Sequence, residues 1–255
     1  MGQLRHRAVA VNGIQRRVCL LTGASGRLGS TFSRLYGHRY DIAAVYYTRP
    51  IVKPPDMCWD IDPLDPCVRK PTSGHRFETI RADLTDPFEV PRIVNFALTT
   101  FGRVDLLVNA AAIARCAPLL SADLTIEDVT RMLDLNAVVP LRLAVELAKR
   151  FWRARAAENT AINRSIVNIS STSGAYIFSG LGQSGYSASK AALNMLTCHM
   201  AEEFSAFGVR VNSVAPDTLP QSVTTESVCD AIARVDRDAM TGRMLLLEAD
   251  GETVL

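Results

Sequence analysis

Short apolar runs alternate with longer amphipathic stretches along most of the chain. Seven of the runs are nearly continuous in apolar residues, which is typical of parallel β-strands covered on both faces. These predicted strands are Arg17–Thr22, Ile42–Tyr47, Phe77–Ala82, Val104–Ala110, Ser165–Ser170, Val209–Ala215 and Met244–Glu248. Helical periodicity occupies most of the intervals between them and predicts helices at Leu28–Gly37, Pro87–Phe101, Ile126–Ala157, Tyr186–Phe207 and Glu226–Val235.

This alternation predicts an α/β fold, namely a single-domain, doubly wound parallel sheet of the Rossmann type with helices on both faces. We expect residues 1–16 to form an N-terminal arm and residues 17–255 to form a dinucleotide-binding catalytic domain. The stretch Pro50–Gly74 contains six prolines, which disfavour the interior of a helix. A loop or a fragment is therefore expected where a connecting helix would normally lie.

Composition and charge exclude several classes of protein. Hydrophobic residues make up 48% of the 255 residues, which argues against a disordered chain. The net charge of +2, without a basic cluster, argues against nucleic-acid binding. The longest apolar runs are too short to cross a membrane, and the start of the chain has no signal-peptide pattern. We therefore expect a cytoplasmic protein that binds neither nucleic acid nor membranes.

The six cysteines are scattered and form no C-x-x-C pair. In a chain without an export signal they are expected to be reduced thiols. Cys58, Cys67 and His75 lie in one irregular stretch, but their spacing matches no usual zinc-ligand pattern. We therefore predict no metal site.

A glycine-rich turn follows the first predicted strand. Gly23 would allow a tight turn, Gly26 a close approach of the backbone to a pyrophosphate, and Gly29 close packing of helix on strand. A helix beginning near Arg27 and Leu28, after Ser25, would offer free N–H groups to the anion. The alternative is a turn selected only for its backbone angles, but its position between a strand and an apolar helix favours a dinucleotide site.

The end of the second predicted strand bears on the choice of cofactor. Sites for NAD usually have an acidic residue there, whereas this strand ends at Tyr47, Thr48 and Arg49. Arg27 and Arg49 would suit the 2′-phosphate of NADP through charge-assisted hydrogen bonds. We therefore predict NADP(H) over NAD(H); the alternative is that both arginines are simply solvated.

Tyr186 and Lys190 are four residues apart, so a helix would place both side chains on one face. A free tyrosine has a pKa of about 10, and an ammonium about 4 Å away would stabilise its phenolate by up to ~4 kcal/mol. The same spacing also occurs by chance on surface helices.

Ser171 follows a predicted buried strand, where it would face the ligand crevice. Asn136, in a long predicted helix, is unremarkable on its own.

Taken in order, these motifs resemble those of the short-chain dehydrogenase/reductase family from about Arg17 to Gly251. The matching segments are the glycine turn Gly23–Gly29, Asp83-Leu84, Asn109–Ala112, Asn136, Ser171, the pair Tyr186 and Lys190, and Arg210–Pro216. The glycine turn is similar to that of pteridine reductases, which use NADPH.

The resemblance implies catalytic roles for four residues. Tyr186 would be the general acid for carbonyl reduction, and Lys190 would lower its pKa and bind the nicotinamide ribose. Ser171 would orient the carbonyl, and Asn136 would position a water that links Lys190 to solvent.

The resemblance also implies cofactor contacts and an assembly. Asp83 would meet the adenine amino group beside Leu84, and Asn109, Ala110 and Ala111 would line the cleft, with Pro216 at its far end. The long helix and the Tyr186 helix would pack against symmetry mates in a homodimer or homotetramer.

The chain departs from the family pattern in four places. Arg27 stands where the glycine turn usually has a glycine. Ala110 and Ala112 replace an asparagine and a glycine. Ser171 lies fifteen residues before Tyr186, whereas Ser173 lies thirteen before it, the commoner separation; we prefer Ser171 because Gly174 follows three residues on. After Pro216 the segment that usually closes over the substrate is short, which predicts an open site for a large, carrier-bound or polycyclic substrate, or one completed by a partner subunit.

The sequence therefore predicts NADPH-dependent reduction of a carbonyl on a small-molecule intermediate. Alcohol oxidation by the same residues remains open, as does a catalytically weak NADP-binding regulatory or scaffold protein.

Overall fold

A computed structural model describes residues 16–51, 75–218 and 221–255, and the backbone of residues 59–62 and 65–71. The strands are β1 (Arg17–Thr22), β2 (Tyr40–Tyr46), β3 (Trp59–Asp62), β4 (Asp65–Pro71), β5 (Phe77–Arg81), β6 (Leu106–Asn109), β7 (Ser165–Ile169), β8 (Arg210–Pro216), β9 (Met244–Glu248) and β10 (Gly251–Val254). The helices are α1 (Arg27–Tyr36), α2 (Glu89–Phe101), α3 (Ile126–Leu133), α4 (Val139–Leu147), α5 (Ala156–Ile162), α6 (Ser184–Ser205) and α7 (Thr225–Arg237).

Eight strands form one sheet in the order β10-β9-β8-β7-β6-β1-β2-β5, and all neighbours pair in parallel except β9 and β10. Alternate strand residues face two apolar cores. One core contains α2, α4 and α6, and the other contains α1 and α7. The predicted fold is therefore confirmed: a single α/β domain with a mostly parallel sheet and helices on both faces.

The strand order places a crevice at the carboxyl ends of the strands. From β1 the chain proceeds outward to β2 and β5 on one side, and then returns to β6 on the other. Such a switch in direction leaves a gap between neighbouring connections, where open α/β sheets bind their ligands. The glycine turn after β1 and the loop after β6 meet at this gap.

The predicted long helix from Ile126 to Ala157 is interrupted. Its start is as predicted, since Thr125 and Asp128 form a reciprocal capping box. Two π-helical turns then occur, at Asp134–Val138 and Ala148–Trp152, and a separate helix begins at Ala156. Pro140 has no N–H and cannot donate to the carbonyl of Asn136, so a regular α-helical ladder cannot continue through the first of these turns.

Two short strands lie within Pro50–Gly74, where a loop or a fragment is expected. Within its described backbone, β3 and β4 pair as a separate two-stranded antiparallel sheet. Proline is excluded from helix interiors but is tolerated in edge strands, so Pro66 and Pro71 can lie in β4.

The C-terminal strand β10 was not predicted, because its four residues are all exposed and show no apolar pattern. The predicted N-terminal arm lies outside the described residues, apart from Arg16.

Candidate active site

A cleft with a volume of about 250 Å³ opens at the carboxyl edge of the sheet. Predicted cofactor residues that line it are Gly23, Ser25, Gly26, Arg49, Asp83, Leu84, Ala110 and Ala111. Side chains that sequence reasoning missed also line it, including Tyr47, Thr85, Ile113, Arg131 and Leu135. The cleft thus unites the ends of β1, β2, β5 and β6 with one wall from α3.

The glycine turn has no space for side chains. Gly23 has a φ of +66°, and a Cβ there would lie 2.8 Å from the amide nitrogen of Ala111. A Cβ on Gly29 would lie 2.5 Å from the carbonyl oxygen of Gly23. Gly26 donates to that same carbonyl at 2.9 Å and caps α1. The backbone is therefore bare where a pyrophosphate would approach the helix N-terminus, which fits a dinucleotide.

Thr22 positions the loop opposite this turn. Its Oγ1 accepts hydrogen bonds from the backbone nitrogens of Ala110 and Ala111, at 3.1 and 3.2 Å. Thr22 was not among the predicted site residues. The available signal was a polar residue at the end of a buried strand, directly before the first glycine.

Asp83 is held ionised beside the cleft. Burial pushes its pKa upward, but hydrogen bonds from Thr85 and Tyr47 and the charge of Arg131 outweigh burial and lower the pKa below its usual value. The Thr85 hydroxyl and amide donate to Oδ1 at 2.7 and 3.0 Å. The carboxylate is thus fixed in orientation and can accept further hydrogen bonds from a ligand.

Three arginines occupy different positions relative to the cleft. Arg49 lines the cleft, whereas Arg27 is exposed at the first turn of α1 and is absent from the cleft lining. The role predicted for Arg27 thus stays a prediction. Arg131 lines the opposite wall, one helical turn before Leu135. That i, i+4 spacing on a helix before Asn136 was the signal that could have identified it.

Four further predicted cofactor residues are not among those that line the cleft. Leu28 packs against the apolar core, Gly29 contacts the turn, and Pro216 is buried at the end of β8. The amide of Asn109 donates to Asn168 Oδ1 on the neighbouring strand at 2.8 Å. These residues belong to the elements around the cleft but do not line it.

Tyr186 and Lys190 share one face of α6, as predicted. The ammonium nitrogen of Lys190 lies 5.7 Å from the centroid of the Tyr186 ring and donates to the carbonyl of Ile169 at 2.8 Å. Lys190 is 2% exposed, and burial lowers its pKa to about 8. Burial raises the pKa of Tyr186, so the phenol holds its proton in the protein alone.

The two candidate serines have different partners. The side chain of Ser171 interacts with the phenol of Tyr186 and opposes the rise in the pKa of Tyr186. The hydroxyl of Ser173 instead donates to Gln183 Oε1 at 3.0 Å. The structure therefore brings Ser171, and not Ser173, to the phenol.

Asn136 lies in the first π-helical turn and is buried. Its side chain exchanges two hydrogen bonds with the backbone of Ile113, at 2.8 and 2.9 Å, and donates to Ser189 Oγ at 2.9 Å. It therefore joins the loop after β6 to the helix that carries Tyr186 and Lys190. None of the four predicted catalytic residues lines the cleft itself, but Asn136 connects α6 to Ile113, which does.

The segment after β8 is as short as predicted. Only eight residues separate Pro216 from Thr225, where α7 begins. Asp217, which stands where the family usually has glycine, accepts a hydrogen bond from Thr172 Oγ1 at 3.4 Å. A carboxylate therefore lies beside the residue that follows Ser171.

In the described part of the chain, no group of three His, Cys, Asp or Glu side chains could hold a metal ion. The side chains of Cys58 and Cys67 lie outside that part. Cys19, Cys116, Cys198 and Cys229 are free cysteines. Among the described helices, none is long and apolar enough to span a membrane.

Comparison with known proteins identifies relatives of the whole domain. The family profile described as short chain dehydrogenase matches residues 17–230. Cis-4-hydroxycyclohexanecarboxylate dehydrogenase of Sinomonas cyclohexanicum is 31% identical over 242 residues, covering 93% of this chain and 87% of the relative. The 3-oxoacyl-[acyl-carrier-protein] reductase FabG of Thermotoga maritima is 27% identical over 212 residues, covering 83% and 77%.

The fold matches solved structures in the same way. An oxidoreductase of the short chain dehydrogenase/reductase family from Brucella ovis, solved in complex with a partially ordered NAD, has a TM-score of 0.68 and 24% identity. The match covers 92% of this chain and all of the other. Since the family profile covers most of the chain and the site motifs occur in order on the matching fold, the protein belongs to the short chain dehydrogenase family of oxidoreductases.

Proposed function

We propose that the protein reduces a carbonyl group on a small-molecule substrate with NADPH, and that Tyr186 donates the proton. One observation carries the proposal: the phenol of Tyr186 interacts with the side chain of Ser171 and lies beside the buried ammonium of Lys190, at the same sheet edge as the glycine turn. The family uses NAD(H) or NADP(H), and the bare backbone of the turn fits such a dinucleotide.

Each residue has a role set by its contacts. A bound nicotinamide supplies the hydride that reduces the carbonyl carbon. Ser171 donates a hydrogen bond to the carbonyl oxygen, and Tyr186 transfers its proton to that oxygen, so one hydride and one proton convert the ketone to an alcohol. Lys190 then stabilises the phenolate that Tyr186 leaves.

The backbone carbonyl of Asn136 holds the water through which the proton lost by Tyr186 is replaced. Its side chain is already engaged by Ile113 and Ser189, so its carbonyl is the group left to hold a water. Pro140 cannot donate to this carbonyl because proline has no N–H. A water bound there links Lys190 to solvent and reprotonates the site after each turnover.

The preference for NADPH rests on Arg49. It lines the cleft at the end of β2, where Tyr46–Arg49 contain no acidic residue to accept from a ribose hydroxyl. Arg27 would approach the same phosphate from α1. We further propose that the protein is cytoplasmic and acts as a homodimer or homotetramer.

NADPH oxidation with a panel of ketones and quinones tests the proposal. Tyr186→Phe is expected to lower kcat at least 100-fold while NADPH still binds, and the matched variant Tyr36→Phe is expected to keep full activity. Equal rates in the native protein and Tyr186→Phe would overturn the role of Tyr186 and favour the regulatory or scaffold alternative, for which the short segment after β8 argues.

Alcohol oxidation is the second candidate. With the oxidised cofactor, the same residues act in reverse and Tyr186 becomes the base. The relative from Sinomonas cyclohexanicum is named a dehydrogenase of an alcohol. Turnover of alcohols with NADP⁺ that exceeds reduction of the matching ketones at neutral pH would favour this direction.

A further inference from the structure

Two loops beside Tyr186 carry six of the twelve exposed large apolar side chains among the described residues. Loop A, residues 110–124, connects β6 to α3, and loop B, residues 170–183, connects β7 to α6. From them we infer that the substrate is an uncharged carbonyl compound with an apolar body. This inference deepens the proposed function and rests on it.

The two loops form one surface. The backbone nitrogen of Ala117 in loop A donates to the carbonyl of Gly182 in loop B at 2.9 Å. The contact is close, since a Cβ on Gly182 would lie 2.6 Å from the carbonyl carbon of Ala117. Loop A is anchored to Asn136 through Ile113, and loop B begins at Ser170 and ends three residues before Tyr186. Both loops are therefore fixed to the catalytic residues.

This surface is apolar and uncovered. Leu120 and Ile177 are essentially fully exposed, at 101% and 96%, and Leu181 is 53% exposed. Leu119 and Phe178 are also exposed. The segment between Pro216 and Thr225 has only eight residues, which leaves little chain to cover such side chains. Apolar side chains next to a proton donor can then bury the body of a substrate.

The charged residues of the two loops favour an uncharged substrate over an anionic one. Loop B contains no Asp, Glu, Lys, Arg or His. Loop A contains one cation, Arg115, whose guanidinium donates to Asp128 and to the carbonyl of Asp123. Neither loop thus offers a free cation to a carboxylate or phosphate on the substrate.

Asp217 adds a second, independent obstacle to an anion. Its carboxylate is linked to Thr172, the residue that follows Ser171, and has no ion-pair partner among the described residues. An anionic substrate with its carbonyl on Ser171 would approach this carboxylate, and loops A and B offer no free cation to offset the repulsion. The observations therefore favour a neutral alicyclic, aliphatic or aromatic ketone.

A matched series of ketones tests the inference through NADPH oxidation. With 4-alkylcyclohexanones from methyl to butyl, kcat/KM is expected to rise about twofold to fourfold per added methylene, because each is removed from water on the loops. The methyl ester of 4-oxocyclohexanecarboxylic acid is expected to exceed the free acid at least tenfold in kcat/KM. That acid is the ketone related to the alcohol in the name of the Sinomonas relative.

Variants test whether the apolar surface causes the rise in kcat/KM with chain length and whether Asp217 causes the preference for the ester over the acid. The double variant Ile177→Ser, Leu181→Ser is expected to flatten the rise with chain length. Val254→Ser, at an apolar site on β10 that is about as exposed as Leu181, should leave it unchanged. Asp217→Asn is expected to raise kcat/KM for the acid about threefold or more without raising it for the ester. A merely structural role of Asp217 would change both substrates together.

Several results would overturn the inference. These are a free acid that reacts as well as its ester, a series without dependence on chain length, or a dependence that the double variant retains. If the double variant dissociates in sedimentation experiments while keeping the chain-length dependence, the surface is instead a contact between copies. If no ketone reacts, the proposed function fails. The inference is then tested separately by binding, measured as thermal shifts in the presence of NADP⁺. Longer alkyl chains should still bind more tightly than shorter ones, and the ester more tightly than the free acid.

Discussion

The ammonium of Lys190 lies 5.7 Å from the centroid of the Tyr186 ring and donates a hydrogen bond to the carbonyl of Ile169, the last residue of β7. The lysine is therefore tied to the strand that leads to Ser171, while the phenol of the tyrosine interacts with Ser171 itself. The proton donor, its cation and the serine thus lie together at the end of β7. Small displacements of α6 would disturb all three.

Lys190 is expected to make stability depend on pH. Burial lowers its pKa from 10.5 to about 8, so the unfolded chain binds more protons than the folded one between pH 8 and 10.5. The penalty for burying the charge is therefore full below pH 8 and falls as pH rises through this range; its full size is on the order of 3 kcal/mol.

Lys190→Met should reveal this penalty. In urea unfolding of the cofactor-free protein, the variant should gain stability relative to the native chain at pH 7, and the gain should shrink towards pH 10. A stability difference that is constant with pH would contradict the assignment. The activity of the variant should be lost at every pH.

The two serines are expected to separate in kinetics. Ser171→Ala should lower kcat by about 100-fold or more, because a hydrogen-bond donor to the developing oxyanion is removed. Ser173→Ala removes a hydrogen bond to Gln183 and should change kcat less than about fivefold, since a neutral hydrogen bond contributes only about 1 kcal/mol. Steady-state kinetics with one ketone checks both variants, and the reverse ranking would assign the role to Ser173.

Gly23→Ala should abolish cofactor binding. Its Cβ would lie 2.8 Å from the Ala111 nitrogen, and its φ of +66° is unfavourable for any other residue. Gly102→Ala is the matched control, because Gly102 has a φ of +77° but open space around its Cβ.

The control should lose about 1 kcal/mol of stability and keep NADPH affinity. Fluorescence titration with NADPH and thermal unfolding measure the two effects. If both variants bind NADPH equally well, the close approach at Gly23 has no role in the site.

Arg49 and Arg131 are expected to differ in what they recognise. Arg49→Ala should lower the ratio of NADPH to NADH affinity roughly 10- to 100-fold, the size of a charged hydrogen bond to a phosphate. Arg131 lines the wall formed with Leu135, so Arg131→Ala should weaken NADPH and NADH by a similar factor.

Arg153→Ala, an exposed arginine away from the cleft lining, serves as the control for loss of a positive charge. Titrations of both cofactors at one salt concentration measure these ratios. An unchanged ratio in Arg49→Ala would show that the 2′-phosphate is bound elsewhere.

Much of the architecture could be predicted from sequence because the signals are local. The bounds of β1 and β9 match the predicted ones, since a buried parallel strand requires an apolar run whatever surrounds it. The glycine turn and the Tyr186–Lys190 spacing are equally local, because backbone angles and helical periodicity fix them. The order of these motifs was sufficient to identify the family.

Other features depend on which segments meet in space. Arg131 lines the cleft because α3 packs over the carboxyl edge of the sheet. Arg27 lies on α1 instead and does not line the cleft. The two serines were ambiguous because residue counting cannot trace loop B, whose path turns Ser171 to Tyr186 and Ser173 to Gln183. The exposed β10 carries no apolar pattern and exists as a strand only because β9 offers it hydrogen bonds.

The sequence by itself therefore determined the fold, the family and the residue types of the catalytic and glycine motifs, because each depends on interactions between near neighbours in the chain. Only the tertiary structure decided which serine meets the tyrosine, which arginines face the cleft, and how loops A and B combine into one apolar surface. Those outcomes depend on contacts between residues far apart in sequence, such as Ala117 with Gly182 and Asn136 with Ile113, and no local pattern specifies such pairs.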